Sequence, residues 1–199
     1  MPRQADPRLE DRIVAAAYHL WSKGGEKALT MRAIARAADT TTPTVYDRFR
    51  DKRDIIHTLR SRAQANLLVA IRSSKTLPLF CRRYFDFAVG HPNEYDLLHT
   101  DWSQRYARGE FLPSFEFLKG LLASRLGGSP DQHLRPALAL AALLHGAAMV
   151  LLTKGIDEDV SREIRQAATA AFESLVEAAS SHRFQDKPIP ARRSADPWI

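Results

Sequence analysis

Apolar residues recur every three to four positions almost everywhere along this chain, and no convincing stretch alternates with a period of two. Spacing of three to four gathers apolar side chains on one face of a helix, whereas a half-buried strand needs strict alternation. The chain is therefore expected to be all-α. Pro7, a suitable first-turn residue after Asp6, opens a helix to about Lys23 with the stripe Ile13, Ala17, Leu20 and Trp21, and Gly24-Gly25 stops it. Thr30 opens a short helix whose Met31, Ile34, Ala35 and Ala38 fall on one face. Asp39 follows, a residue that tolerates the left-handed conformation of a tight turn. Pro43 to Phe49 form another short helix, and a fourth starts near Asp51, carrying Ile55, Ile56, Leu59, Ala63, Leu67 and Ile71.

Beyond Ser73-Ser74 the composition shifts, and 10 of the chain's 17 aromatic residues lie between Phe80 and Phe117. Breaks at Gly90-His91-Pro92, Gly109, Pro113 and Gly127-Gly128-Ser129-Pro130 set helices near 76–89, 92–106, 114–126, 131–154 and 158–181. The expected organisation is a three-helix head over residues 1–60 and an all-α body over 61–181. Residues 182–199, with Pro188, Pro190 and Pro197 and no periodicity, read as a disordered tail.

Charge is distributed unevenly. Met1 to Arg62 hold 13 basic and 8 acidic residues, a net of +5, whereas the rest hold 16 and 15, a net of +1. An anionic partner for the first third is implied, nucleic acid before a membrane surface. A single cysteine, Cys81, excludes an internal disulfide and points to a reducing compartment. Asp6, Glu10 and Asp11 behind Met1 leave no apolar signal-peptide core. The longest nearly apolar run, Ala137 to Leu152, contains His145 and falls short of the roughly 20 residues of a spanning helix, so it reads as a buried helix. These features together imply a cytoplasmic protein without a membrane partner.

Residues 30 to about 50 supply two short helices separated by a three- to four-residue turn, the elements of a helix-turn-helix. In that motif the first helix crosses the DNA backbone and the second presents its N-terminal residues to the major groove. Thr41 is the expected N-cap of the second helix. Pro43, at the second helical position, has no N–H, so the Thr41 hydroxyl must bond the N–H of Thr44. Val45 and Phe49 anchor this helix inward. Thr42, Pro43, Thr44, Tyr46 and Asp47 then point outward; proline and threonine methyls suit a thymine methyl, and hydroxyls suit bases or phosphates.

These residues resemble the DNA-binding domain of the TetR (tetracycline repressor) family of bacterial one-component regulators. The likeness rests on Gly25 before Ala28, Thr30, Ile34-Ala35, Ala38, Thr44-Val45-Tyr46, Phe49, Lys52 and Ile55. It implies phosphate contacts by Thr44, Tyr46 and Lys52, backbone contacts by Thr30 and Arg32, and a base-proximal position for Thr42 and Pro43. Asp39 stands where the family has a turn glycine, and Thr40 where it has an apolar residue, which implies a looser turn. Asp47 replaces a phosphate-contacting residue and is given no contact; Arg48, Arg50 and Arg53 compensate for it.

In the body, Tyr84 to Ala88 followed by His91-Pro92-Asn93-Glu94-Tyr95-Asp96-Leu97-Leu98 is similar to a segment common in one group of TetR C-terminal domains. The resemblance implies a small-molecule cavity and a homodimer built by the last two long helices. Ala141, Gly146, Ala147 and Ala148 permit close helix contact there, or pack inside the monomer. The expected pocket residues are Tyr84, Phe87, Leu98, Trp102, Phe111, Phe115, His145 and Met149, although an aromatic stripe is more often plain core. His91, His99, His133 and His145 lack metal-type spacing, so neither a metal nor a cofactor is expected. The whole implies a repressor that binds a palindromic double-stranded operator as a dimer and answers to a small-molecule effector. Two other classes fit less well: a DNA-binding protein without sequence preference, and an all-α enzyme using Asp96, His99, Asp101 and His145, which form no nucleophile–base pair.

Overall fold

The computed structural model describes residues 8–180. The ten-helix order among them is α1 (Leu9–Ala28), α2 (Met31–Ala37), α3 (Thr42–Tyr46), α4 (Lys52–Ile71), α5 (Leu77–Gly90), α6 (Pro92–His99), α7 (Trp102–Ala107), α8 (Pro113–Leu126), α9 (Leu134–Leu151) and α10 (Glu158–Ser180). A 3-10 turn, Pro130–His133, precedes α9, and no strand occurs among the described residues. The tail expected over 182–199 lies outside them. The chain divides into two units between Ala63 and Gln64, inside α4.

In the first unit α2 packs against both α1 and α3. Ile13, Ala17, Ile34, Val45 and Ile55 are fully buried, with Trp21, Ala38 and Phe49 nearly so. Each buried isoleucine or valine side chain among them contributes about 1.5–3 kcal/mol by leaving water. Gly24-Gly25 does not end α1 as the sequence suggested. Gly25, at φ 58°, kinks the chain through a conformation disfavoured for any Cβ, and a last turn resumes to Ala28.

The second unit is built around α5, which packs on α6, α9 and α10. Thr76 caps α5 by accepting from the Leu79 N–H, and Phe80, Cys81, Phe85 and Ala88 sink into the core. The single helix expected over 92–106 is two. Asp101 adopts φ 59°, which no α-helix tolerates, and separates α6 from α7. The buried Arg105 of α7 donates to Glu110 at 2.8 Å, and Arg108 reaches the same carboxylate at 2.6 Å, clasping α7 to the segment that follows. Lys119 on α8 bonds Glu116 and Asp131, 2.8 Å each, tying α8 to the 3-10 turn.

The helix expected to be buried over 137–152 is buried on one face only. Ala137, Leu140, Leu144, Ala148 and Leu151 face inward, whereas Ala142, Gly146, Met149 and Val150 are exposed. Pro130–Leu151 is long and apolar enough to cross a membrane by length and composition alone. Its inward face packs on α5, α8 and α10.

Candidate nucleic-acid interface and effector cavity

In the first unit, capping and turn chemistry set the geometry of α2 and α3. Thr30 accepts from the Ala33 N–H at 3.1 Å and starts α2. After α2, the Thr40 N–H returns to the Ala35 carbonyl at 2.9 Å and the Asp39 N–H to that of Arg36 at 3.3 Å. With Asp39 at φ 51°, these are the two bonds of a Schellman motif. The looser turn implied by Asp39 and Thr40 is thus closed: an aspartate reaches the left-handed region here, and the backbone bonds depend on that conformation rather than on glycine.

Thr41 caps α3, its hydroxyl accepting from the Thr44 N–H at 3.3 Å and pairing with the Thr44 hydroxyl at 2.7 Å. Val45 is fully buried and Phe49 nearly so. Arg32, Thr41, Pro43, Tyr46, Asp47 and Arg48 are exposed, as is Thr30, and Thr42 and Thr44 are half-buried. Tyr46 keeps 53% of its surface in solvent. Lys52 carries a feature the sequence did not foretell: its Nζ lies 2.8 Å from the Glu26 carboxylate. Asp51 caps α4 by accepting from the Asp54 N–H at 2.9 Å, a bond that holds its carboxyl below the usual range.

The second unit encloses a cavity of about 350 Å³, at the small end of ligand pockets. Of the residues expected to line it, Tyr84, Trp102, Phe115 and His145 do; Phe87, Leu98, Phe111 and Met149 do not. Phe87 is buried and stacks on His91 with centroids 5.1 Å apart. Leu98 is turned into the core beside Leu97, on another face of α6 from His99. Phe111, at 74% exposure, lies in the irregular segment beyond the Arg105–Glu110 clasp, and Met149, at 52%, sits one turn past the cavity end of α9. Phe80, His99, Ser103, Ser114 and Leu118 complete much of the lining.

Four side chains at the cavity are wired together. Tyr84 Oη lies 2.9 Å from His99 Nε2 and 3.3 Å from Tyr95 Oη; Tyr95 Oη lies 2.8 Å from His145 Nδ1; His99 Nδ1 lies 2.8 Å from the Tyr95 carbonyl. Burial raises both tyrosine hydroxyls well above their ordinary range, and pulls His99 down to about 4 and His145 below its ordinary value. All four are neutral near pH 7. Burial also pushes the Cys81 thiol up to about 12, which leaves it inert as a redox sensor. Among the described residues, no group of three or more His, Cys, Asp or Glu side chains could hold a metal ion.

Residues 13–59 match the model of the tetR family of bacterial regulatory proteins, and residues 77–179, more than half the chain, match that of the tetracyclin repressor-like C-terminal domain. The chain belongs to the TetR family. It is thus a DNA-binding transcriptional regulator with a ligand-binding C-terminal domain. No curated protein sequence matches it. Among solved structures, the multidrug binding protein EbrR complexed with imidazole is similar with a TM-score of 0.61 and 21% identity, over 96% of each chain. EbrR complexed with proflavin gives 0.55 and 21%, over 84% of this chain and 99% of that one. SCO7222, a TetR from Streptomyces coelicolor, gives 0.61 and 20%, over 86% and 97%. At these identities the likeness is one of fold.

Within this TetR-family chain, reasoning from sequence missed Tyr95 and underrated His99. Their signal was present as His99 four residues after Tyr95, which puts both on one side of α6. Ser103 and Ser114 gave no signal, because the break at Asp101 and the clasp at Glu110 decide where they point.

Proposed function

We propose that this protein is a cytoplasmic repressor: a homodimer that grips a palindromic operator and releases it when a small molecule fills the cavity. The observation that carries this reading is the pairing of a threonine-capped α3, solvent-facing at Pro43 and Tyr46, with an aromatic cavity in the other unit. Thr44, Tyr46, Arg48 and Lys52 hold phosphates, Thr30 and Arg32 steady α2 on the backbone, and Thr42 and Pro43 read base edges, with Thr41 fixing the helix start. Lys52 exchanges Glu26 for a phosphate, so its net gain is smaller than that of an unpaired lysine.

Dimerisation follows from the size of the reading element. One short helix buries little DNA surface, and a symmetric dimer reads two half-sites about 34–36 Å apart or a multiple of that. The exposed stripe Ala142, Gly146, Met149 and Val150 on α9, beside Ala167, Ala170, Ala171 and Ser174 on α10, supports that contact. Open space surrounds the position of a Cβ on Gly146, so an arginine there is tolerated by the monomer and blocks close approach of a partner. Gly146→Arg is expected to run as a monomer in light scattering; an unchanged dimer sinks this interface. Effector binding favours a head spacing that no longer fits successive grooves, with α4 as the coupling element, and the shift is limited by the effector's differential affinity for the two states.

The test is a pull-down of sheared DNA from the source genome at moderate salt, followed by sequencing. A few sharp peaks sharing an inverted repeat support the proposal, and even coverage with or without added cell extract refutes it. Substitutions at Thr42 or Pro43 should change which sequence is preferred, not the affinity for all sequences.

A further inference from the structure

The bonds around His145 fix what the cavity offers a ligand. A carbonyl oxygen only accepts, so His99 donates from Nδ1 to the Tyr95 carbonyl, and neutral His99 keeps a bare Nε2. Tyr84 therefore donates to His99 Nε2 at 2.9 Å, with the Tyr95 oxygen at 3.3 Å a weaker second acceptor of the same proton. The Tyr95 proton is left for the short 2.8 Å contact with His145 Nδ1. Neutral His145 then carries its own proton on Nε2, an atom that no described residue bonds, on a half-buried side chain lining the cavity.

The rest of the lining sets the other requirements. Among the described residues, no Asp, Glu, Lys or Arg side chain lines the cavity, so an ionic ligand would meet no counter-charge from them. Arg105, whose charge acts on His99, is paired with Glu110 at 2.8 Å. The lining rings meet both face to face and edge to face, Tyr84 standing at 89° to His99. His99 and His145 are within 12° of parallel at 4.6 Å, and Trp102 stands edge-on to Phe115 at 82°. Such walls favour a flat aromatic guest.

We infer that the cavity selects neutral, flat aromatic molecules bearing a hydrogen-bond acceptor such as an aryl ketone, quinone or ring nitrogen, which the Nε2–H of His145 engages. This deepens the reading of the cavity as an effector site and rests on it.

The test uses four probes of similar size on the full-length protein near neutral pH: 2-acetonaphthone, naphthalene, 2-naphthoate and N-methylquinolinium. Calorimetry should show 2-acetonaphthone binding about tenfold tighter than naphthalene, as one net hydrogen bond gives, with both ions weaker than naphthalene. His145→Phe should erase the preference for the ketone over naphthalene. Tyr95→Phe, which frees the His145 tautomer, should reduce that preference in a second background. Nitrogen NMR of the wild-type protein should find His145 protonated on Nε2 and bare on Nδ1. Equal affinity for ketone and naphthalene, tighter binding of either ion, no binding of any probe, or the opposite tautomer overturns the inference. None of these readouts involves DNA. A protein that binds the ketone selectively but no operator keeps this inference and loses the repressor reading, and the reverse result does the opposite.

Discussion

The two units build their sites by opposite means. In the head, the bonds that start and end the short helices are local: Thr30 to Ala33, Thr40 to Ala35, Thr41 to Thr44, Asp51 to Asp54. In the body, the cavity draws Phe80, His99, Trp102, Phe115 and His145 from five different helices. A DNA groove has one geometry, and a short stretch of sequence can encode its complement. A cavity has no fixed template, so its shape depends on distant packing and on breaks such as Asp101.

If the units are this independent, damage to one should spare the other. Val45→Asp places a carboxylate where exposure is zero and should cost the head about 4 kcal/mol or more. Calorimetry should lose the head's transition and keep the body's; joint loss would break the comparison. The next largest effect belongs to the body. Burial holds His99 at about 4 against an ordinary 6.5, so between these values the unfolded chain binds a proton that the native chain does not. Body stability is complete above about pH 6.5 and falls by about 3 kcal/mol as pH drops toward 4. His99→Gln should flatten most of that slope in urea titrations; an unaltered slope would assign it to other groups.

Smaller effects sharpen the account of the head. Tyr46→Ala and Lys52→Ala should each weaken binding to all duplexes by about five- to tenfold, and Lys52→Ala should also reduce the salt slope by about one. No change for either would displace the helix-turn-helix from the interface. Thr41→Ala should cost the head about 1 kcal/mol through the lost cap. Asp39→Gly should raise its stability by a few tenths, because glycine adopts φ 51° without a Cβ penalty. A loss on that substitution would mean that the aspartate side chain itself holds the turn.

This division explains what could be read in advance. The Thr41 cap followed from Pro43 lacking an N–H, and the inward Val45 and Phe49 followed from spacing. The all-α class followed from periodicity. Phe111 was expected in the pocket because it lies in an aromatic-rich segment, and only the Arg105–Glu110 clasp shows that it stays outside. Met149 was misread because α9 is apolar on both faces, so composition cannot say which face is inward. The Tyr84–Tyr95–His99–His145 chain spans α5, α6 and α9, and beyond the Tyr95–His99 pair no spacing rule links its members.

The central claim is that α3 reads sequence as one half of a dimer. Its most direct test is the affinity of the purified protein, at one fixed salt concentration, for the inverted repeat recovered from genomic DNA and for a scrambled duplex of equal length. The account predicts a ratio of about 10³ or more and two chains per repeat. Affinities equal within a few-fold, or a single chain bound, would contradict it.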